Sequence, residues 1–136
     1  MILDTSVLIA IIKEEPEAAS FAVTMEASKE LRISAANYLE LSMVVDRLRN
    51  PRLSARLDEI LEKAAVIIEP VTAEQAQIAR QAYRDYGRGS GHRANLNFSD
   101  CFAYALARAK REPLLFQGDD FNHTDVRSAA AVLTEP

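Results

Sequence analysis

The chain has 136 residues and a net charge of -4, with 49% hydrophobic and 26% charged residues. That is the size of one domain, expected to run from 1 to 136 around a single core. No apolar run approaches the ~18 residues of a membrane span, "MILDTS" has no basic region before an apolar one as a signal peptide would, and the acidic balance offers no general attraction for nucleic acid.

Elements follow in chain order. "MIL", residues 1–3, has room only for a short buried strand, ended by Asp4. "TSVLIAIIK" continues as a helix. Pro16 suits the first turn of a second helix, with Ala18, Ala19, Phe21, Ala22 and Met25 facing inward. "LRIS", 31–34, reads as a strand, and Ser34 caps a helix over 35–48 with the stripe Tyr38, Leu41, Val44, Val45 and Leu48. "NP" at 50–51 breaks it. Leu53, Leu57, Ile60, Leu61 and Ala64 mark the next helix, and "AVIIEPV", 65–71, a third strand. Thr72 and Gln75 form a T-x-x-Q capping box that opens a helix to about Tyr86. "GRGSGHRANLN" is a loop. A helix headed by Asp100 follows, with Phe98, Cys101, Phe102, Ala105, Leu106 and Ala109 inward. "PLLFQ", 113–117, is a fourth strand, and "AAAVLT" near the end a fifth. Continuous apolar strands alternating with helices predict a parallel sheet covered on both faces. Cys101 is the single cysteine, so no internal disulfide forms; its expected role is a small core hydrophobe in a reducing cytoplasm.

Ligand sites in such sheets lie beyond the carboxyl ends of the strands. Asp4 follows strand one, Asp119 and Asp120 follow strand four, Asp100 heads the helix leading into strand four, and Glu40 borders the apolar stripe two turns into its helix. Each has an ordinary reading: Asp4 as a helix cap, Asp100 as a first-turn acid behind a cap at Asn97 or Ser99, Glu40 as a solvated edge residue, Asp119 and Asp120 as turn residues. Caps need not cluster at one sheet edge, however, and clustering is costly. Two carboxylates about 4 Å apart repel by roughly 4 kcal/mol at an effective dielectric of 20. No lysine or arginine adjoins Asp4, Glu40 or Asp100 in sequence. A hard divalent cation relieves the repulsion, and an all-oxygen set suits Mg²⁺ or Mn²⁺. One cysteine and two histidines make a zinc site a poor fit.

Four blocks, "MILDTSVLIAII", "SAANYLELSMVV", "YGRGSGHRANLNFSDCFAYALA" and "PLLFQGDDFNHTDV", resemble in order and spacing the PIN-domain ribonucleases of the VapC type, the toxin half of a toxin–antitoxin pair. The resemblance implies a three-layer α/β/α sandwich around a parallel sheet of about five strands. It implies Mg²⁺-dependent hydrolysis of RNA, leaving 5′-phosphate and 3′-hydroxyl ends and stopping translation and growth. It also implies a homodimer and silencing by a cognate VapB-type antitoxin, for which the helix pair over 17–48 is a docking surface. Asp4, Glu40 and Asp100 match the family's acids, with Asp4 and Asp100 expected to hold the metal most directly and Glu40 to bind it through water or to orient the attacking water. The last acid falls on Asp119 or Asp120, with Asp120, just before Phe121, the better match. Thr5 and Ser6 match hydroxyl positions that support the metal's water or a phosphate.

Arg88 and Arg93 in the glycine-bearing loop are the expected phosphate contacts. His92 and His123 are expected at the surface without a catalytic part, and Asp125 in a structural role. Two other readings stand beside this one. A haloacid-dehalogenase-type phosphatase needs a second Asp two residues after the first, where this chain has Ser6. A catalytically silent RNA- or protein-binding module would not need the full set of acids.

Overall fold

The computed structural model describes residues 1–130. Among the described residues four parallel strands form one sheet: β1 (Ile2–Leu3), β2 (Arg32–Ser34), β3 (Ile67–Glu69) and β4 (Leu114–Leu115), in the order β3-β2-β1-β4. Around it lie α1 (Thr5–Ile12), α2 (Ala18–Glu26), α3 (Ala35–Asp46), α4 (Pro51–Lys63), α5 (Ala73–Tyr86) and α6 (Phe98–Lys110). A 3₁₀ turn, Asp120–His123, follows β4.

Alternating strand residues feed two cores, one on each face. Leu3, Ile33 and Leu115 pack with α1 to α4 through Val7, Leu8, Leu41, Val45 and Leu57. Ile2 and Leu114 pack with α5 and α6 through Ala79, Ala82, Ala105 and Leu106. The strand pleat thus produces the expected three layers. Ile2 is opposite both Arg32 and Leu114, and Leu3 is opposite Leu115, so the carboxyl ends of β1 and β4 lie level. Asp4 N–H continues the ladder by donating to the Leu115 carbonyl at 3.0 Å.

Local chemistry accounts for the helix ends. Ser34, Asn50 and Thr72 accept first-turn amides, and Pro51 follows Asn50 where its missing N–H costs nothing. Thr72 makes its half of the predicted box; among the described residues Gln75 makes no reciprocal bond and is buried instead.

Several expectations need correction. β3 is an edge strand, and Ile67 and Ile68 are exposed rather than covered on both faces. α2 starts at Ala18, beyond Pro16, and its Ala19 is exposed. Leu48 lies past the end of α3 and is exposed. α6 starts at Phe98, and Phe98 itself is 77% exposed. Just ahead of the expected fifth strand, Ser128 forms a single parallel bridge with Leu114. Ala129 and Ala130 already have helical backbone, and the rest of "AAAVLT" lies outside the described residues.

Candidate active site

The turn from β1 into α1 buries Asp4 and Thr5. Asp4 is the N-cap of α1: its Oδ2 accepts the Ser6 amide at 3.1 Å and the Ser6 hydroxyl at 2.6 Å. The same hydroxyl accepts the Gln117 amide at 3.0 Å. Ser6 therefore ties the end of β1 to the end of β4. The Thr5 hydroxyl donates to the Asn37 carbonyl at 3.5 Å.

Asn37 is fully buried, one turn before Glu40 on α3. Its Nδ2 donates to the Ser99 carbonyl at 3.0 Å, joining α3 to the first turn of α6. Its Oδ1 is buried with no partner among the described residues. At the head of α6, Asn97 accepts the Asp100 amide at 2.9 Å, and Asp100 Oδ2 accepts the Asn97 amide at 2.9 Å. This is a reciprocal capping box. The cap occupies one carboxylate oxygen of Asp100 and leaves the second uncommitted to it. Capping and ligand binding are therefore compatible readings of this residue.

The electrostatics reveal which acids share a neighbourhood. Burial pushes Asp100 up to about 6, and the charges of Asp4, Asp120 and Glu40 push in the same direction against the Asn97 amide. Burial also raises Asp4, opposed by the Ser6 bonds and assisted by Glu40. Asp4, Glu40, Asp100 and Asp120 thus act on one electrostatic site. Asp119 does not join it. Its carboxylate binds Asn122 Nδ2 at 3.0 Å and His123 Nε2 at 2.6 Å, which hold its pKa below the usual range.

At the amino edge of the sheet acids are neutralised: Glu112 meets the Met1 amine at 2.6 Å and Arg32 at 3.1 Å. Among the described residues, none of Asp4, Glu40, Asp100 and Asp120 has such a partner. Nor do three acids close into a ready-made cage among the described residues, so the expected tight metal set is not preassembled. Like charges without a counter-ion do not draw together. The donors are nonetheless all oxygen and uncompensated, and burial disfavours the charged forms of Asp4 and Asp100, which a bound cation would favour, so a hard divalent ion fits them.

The remaining candidates separate. Arg88 and Arg93 are exposed on the loop after α5. Arg93 lies close enough to Asp119 to help lower its pKa. Arg88 is fixed at its root, where its amide donates to the Leu96 carbonyl and the Leu96 amide donates to the Tyr86 carbonyl, each at 2.9 Å. His92 Nδ1 accepts the Ala94 amide at 3.0 Å and its ring meets Tyr86 edge-on, a loop-shaping role. Asp125 accepts the Tyr104 hydroxyl at 2.6 Å and pairs with Arg108 at 3.2 Å, a structural role. Cys101 is buried, and its thiol is pushed up to about 11.

Gln117 and Asn37 hold the site together and were not singled out by sequence. A polar residue inside the apolar stripe of α3 was the available signal for Asn37. Gln117 acts through its backbone amide, so its side chain carried no signal.

The family model described as PIN domain matches residues 1–127. Ribonuclease VapC28 of Mycobacterium tuberculosis is 53% identical over 129 residues, which cover 95% of this chain and 97% of that one. This chain belongs to the VapC family of PIN domains. Solved structures agree on the fold. VapC20 of Mycobacterium tuberculosis, a sarcin-ricin loop cleaving toxin, superposes with a TM-score of 0.70 at 19% identity, over 92% of this chain and 95% of that one. A chain of a toxin–antitoxin complex from Klebsiella pneumoniae gives a TM-score of 0.67 at 18% identity, covering 88% of each chain. Among the described residues of this VapC-family chain, no helix is long and apolar enough to cross a membrane.

Proposed function

We propose that this chain is a Mg²⁺-dependent endoribonuclease and the toxin of a VapBC-type pair, arresting translation and growth by cutting RNA. The observation that carries the reading is that the charges of Asp4, Glu40 and Asp120 all reach the half-buried carboxylate of Asp100, and that none of the four acids has a cationic partner among the described residues. Relatives named as VapC ribonucleases support the substrate class. Mn²⁺ suits the same donors.

Asp4 and Asp100 would hold the ion, with Asp120 completing the acidic wall. When bound, the ion supplies Lewis-acid stabilisation of charge on the phosphate and a more acidic water. Glu40, at the border of the stripe, orients the attacking water and accepts its proton. Ser6 keeps Asp4 aimed through its 2.6 Å bond, and Thr5 anchors α1 to α3 beside it. Arg88 and Arg93 bring positive charge to the strand from the loop ahead of α6. The engagement of Asp119 by Asn122 and His123 favours Asp120 as the fourth acid. The partners in this reading are the RNA, a VapB-type antitoxin and a second copy of the chain. Exposed Val23, Leu39 and Met43 offer apolar surface on α2 and α3 for a protein partner.

Induced expression in a bacterial host, followed by mapping of RNA 5′ ends, tests the reading. Growth arrest with discrete new 5′ ends is expected from the wild type and not from Asp4→Asn. Equal arrest and equal ends from both would overturn it.

A further inference from the structure

Between α5 and α6 runs a groove of about 640 Å³ whose walls include Arg80, Tyr83, Arg88, Phe98 and Phe102. Asn97 belongs to the same wall, and its side chain caps the turn that carries Asp100. Asn97 thus links the groove to the acidic site, while the groove's lining contains none of the acids.

Its rim is unusual for a surface. Phe98, at the first helical position, is exposed, and its ring meets Phe102 edge-on at 4.9 Å. Tyr83 is also exposed. Both aromatics sit among two guanidiniums, Arg80 and Arg88, that have no ion-pair partner among the described residues. The Gly87–Leu96 bridge fixes the root of Arg88, and Gly87 packs so closely on Tyr83 that an added Cβ would lie 2.4 Å from its ring.

An occupant must offer a flat apolar face and negative charge side by side. An unpaired nucleotide has both: its base stacks on exposed aromatic rings, and its phosphate pairs with arginine. A second copy of this chain fits less well, since a twofold axis at the groove would set the same guanidiniums against each other.

We propose that this groove binds one unpaired nucleotide of the RNA strand, next to the nucleotide held at the acids. Phe98 and Tyr83 stack its base, and Arg80 and Arg88 take the flanking phosphate. The inference rests on the ribonuclease reading and deepens it.

The test uses the full chain and a short fluorescein-labelled single-stranded RNA of mixed sequence. Binding is read by anisotropy in EDTA, and cleavage in Mg²⁺. Phe98→Ala is expected to weaken binding about tenfold, within the range for loss of one base–aromatic stack. It should raise KM while leaving kcat near wild type, and Phe98→Trp should restore binding. Arg88→Ala should reduce the slope of log affinity against log salt by about 0.7, the loss of one phosphate contact to a single strand. Phe98 is exposed, so its removal opens no core cavity. A wild type that cuts RNA while Phe98→Ala and Arg88→Ala bind as it does would overturn this inference alone. So would a change of mass in solution on Phe98→Ala, which would assign the groove to a second copy. A wild type that neither binds nor cuts would overturn the ribonuclease reading, and this one with it.

Discussion

The Ser6 hydroxyl donates to Asp4 Oδ2 at 2.6 Å and accepts the Gln117 amide at 3.0 Å. One small side chain therefore sets the direction of the most buried acid and locks together the two strand ends that flank it. A hydrogen bond to a charged group, partly buried, stabilises by about 1.5 to 3 kcal/mol. Ser6→Ala removes it and leaves the Gln117 amide without its acceptor. The variant is expected to lose about 2 kcal/mol in urea denaturation. Cleavage should fall about 10- to 100-fold, as for other supports of a metal ligand. Ser6→Ala with wild-type activity would show that Asp4 needs no such support.

Asp100 makes stability depend on pH in a defined direction. Its folded pKa, about 6, lies above its ordinary value of 3.8. In that window the folded chain binds more protons than the unfolded chain. Its contribution is thus fully present below about pH 4 and is lost as pH rises to about 6. Asn at this position keeps an oxygen for the Asn97 amide and has no charge to bury. Asp100→Asn should therefore be more stable than wild type at pH 7.5, with the gap closing toward pH 4. Thermal melts of both proteins across that range check this, and a gap independent of pH would contradict it. Added Mg²⁺ should stabilise the wild type at pH 7.5 and have much less effect on the variant.

The two adjacent acids after Gly118 should behave differently. Asp120 acts on Asp100, whereas Asp119 is occupied by Asn122 and His123. Asp120→Asn is expected to raise the Mg²⁺ concentration needed for half-maximal cleavage by roughly tenfold or more. Asp119→Asn should stay within about twofold of wild type. Metal titrations of the two variants decide between them, and the reverse order would move the fourth acid to Asp119.

Gly87 is a steric requirement rather than a hinge. A Cβ there would fall 2.4 Å from both the ring and the carbonyl oxygen of Tyr83. Gly87→Ala is expected to cost about 1 to 3 kcal/mol, as overpacking does. It should also disturb the loop that leads to Asp100. Denaturation midpoint and cleavage rate should fall together.

Much of this was legible in the sequence because the signals were local. Ser34, Asn50–Pro51 and Thr72 mark helix starts through their own chemistry, and Asp4 sits where a short strand must end. The four acids could be collected because parallel topology sends strand ends to one edge. Other features depend on partners distant in the chain. The Ser6–Gln117 bond joins residues separated by 111 positions. Helical periodicity extended the inner face of α6 back to Phe98, but that ring lies exposed at the rim of the groove between α5 and α6. β3 reads as a buried strand because its residues are apolar, yet its place at the sheet edge depends on strand order. Asp100 illustrates both levels: its spacing from Asn97 is local and forms the cap, whereas its raised pKa comes from burial and from acids on three other segments.

The most direct test is cleavage of total bacterial RNA by the purified chain, with Mg²⁺ and with EDTA, beside Asp100→Asn. The wild type with Mg²⁺ should cut at discrete positions and leave 5′-phosphate ends, while EDTA and Asp100→Asn should each leave the RNA intact. Cleavage that persists at the wild-type rate in EDTA or in Asp100→Asn would contradict a metal-dependent site built on these acids.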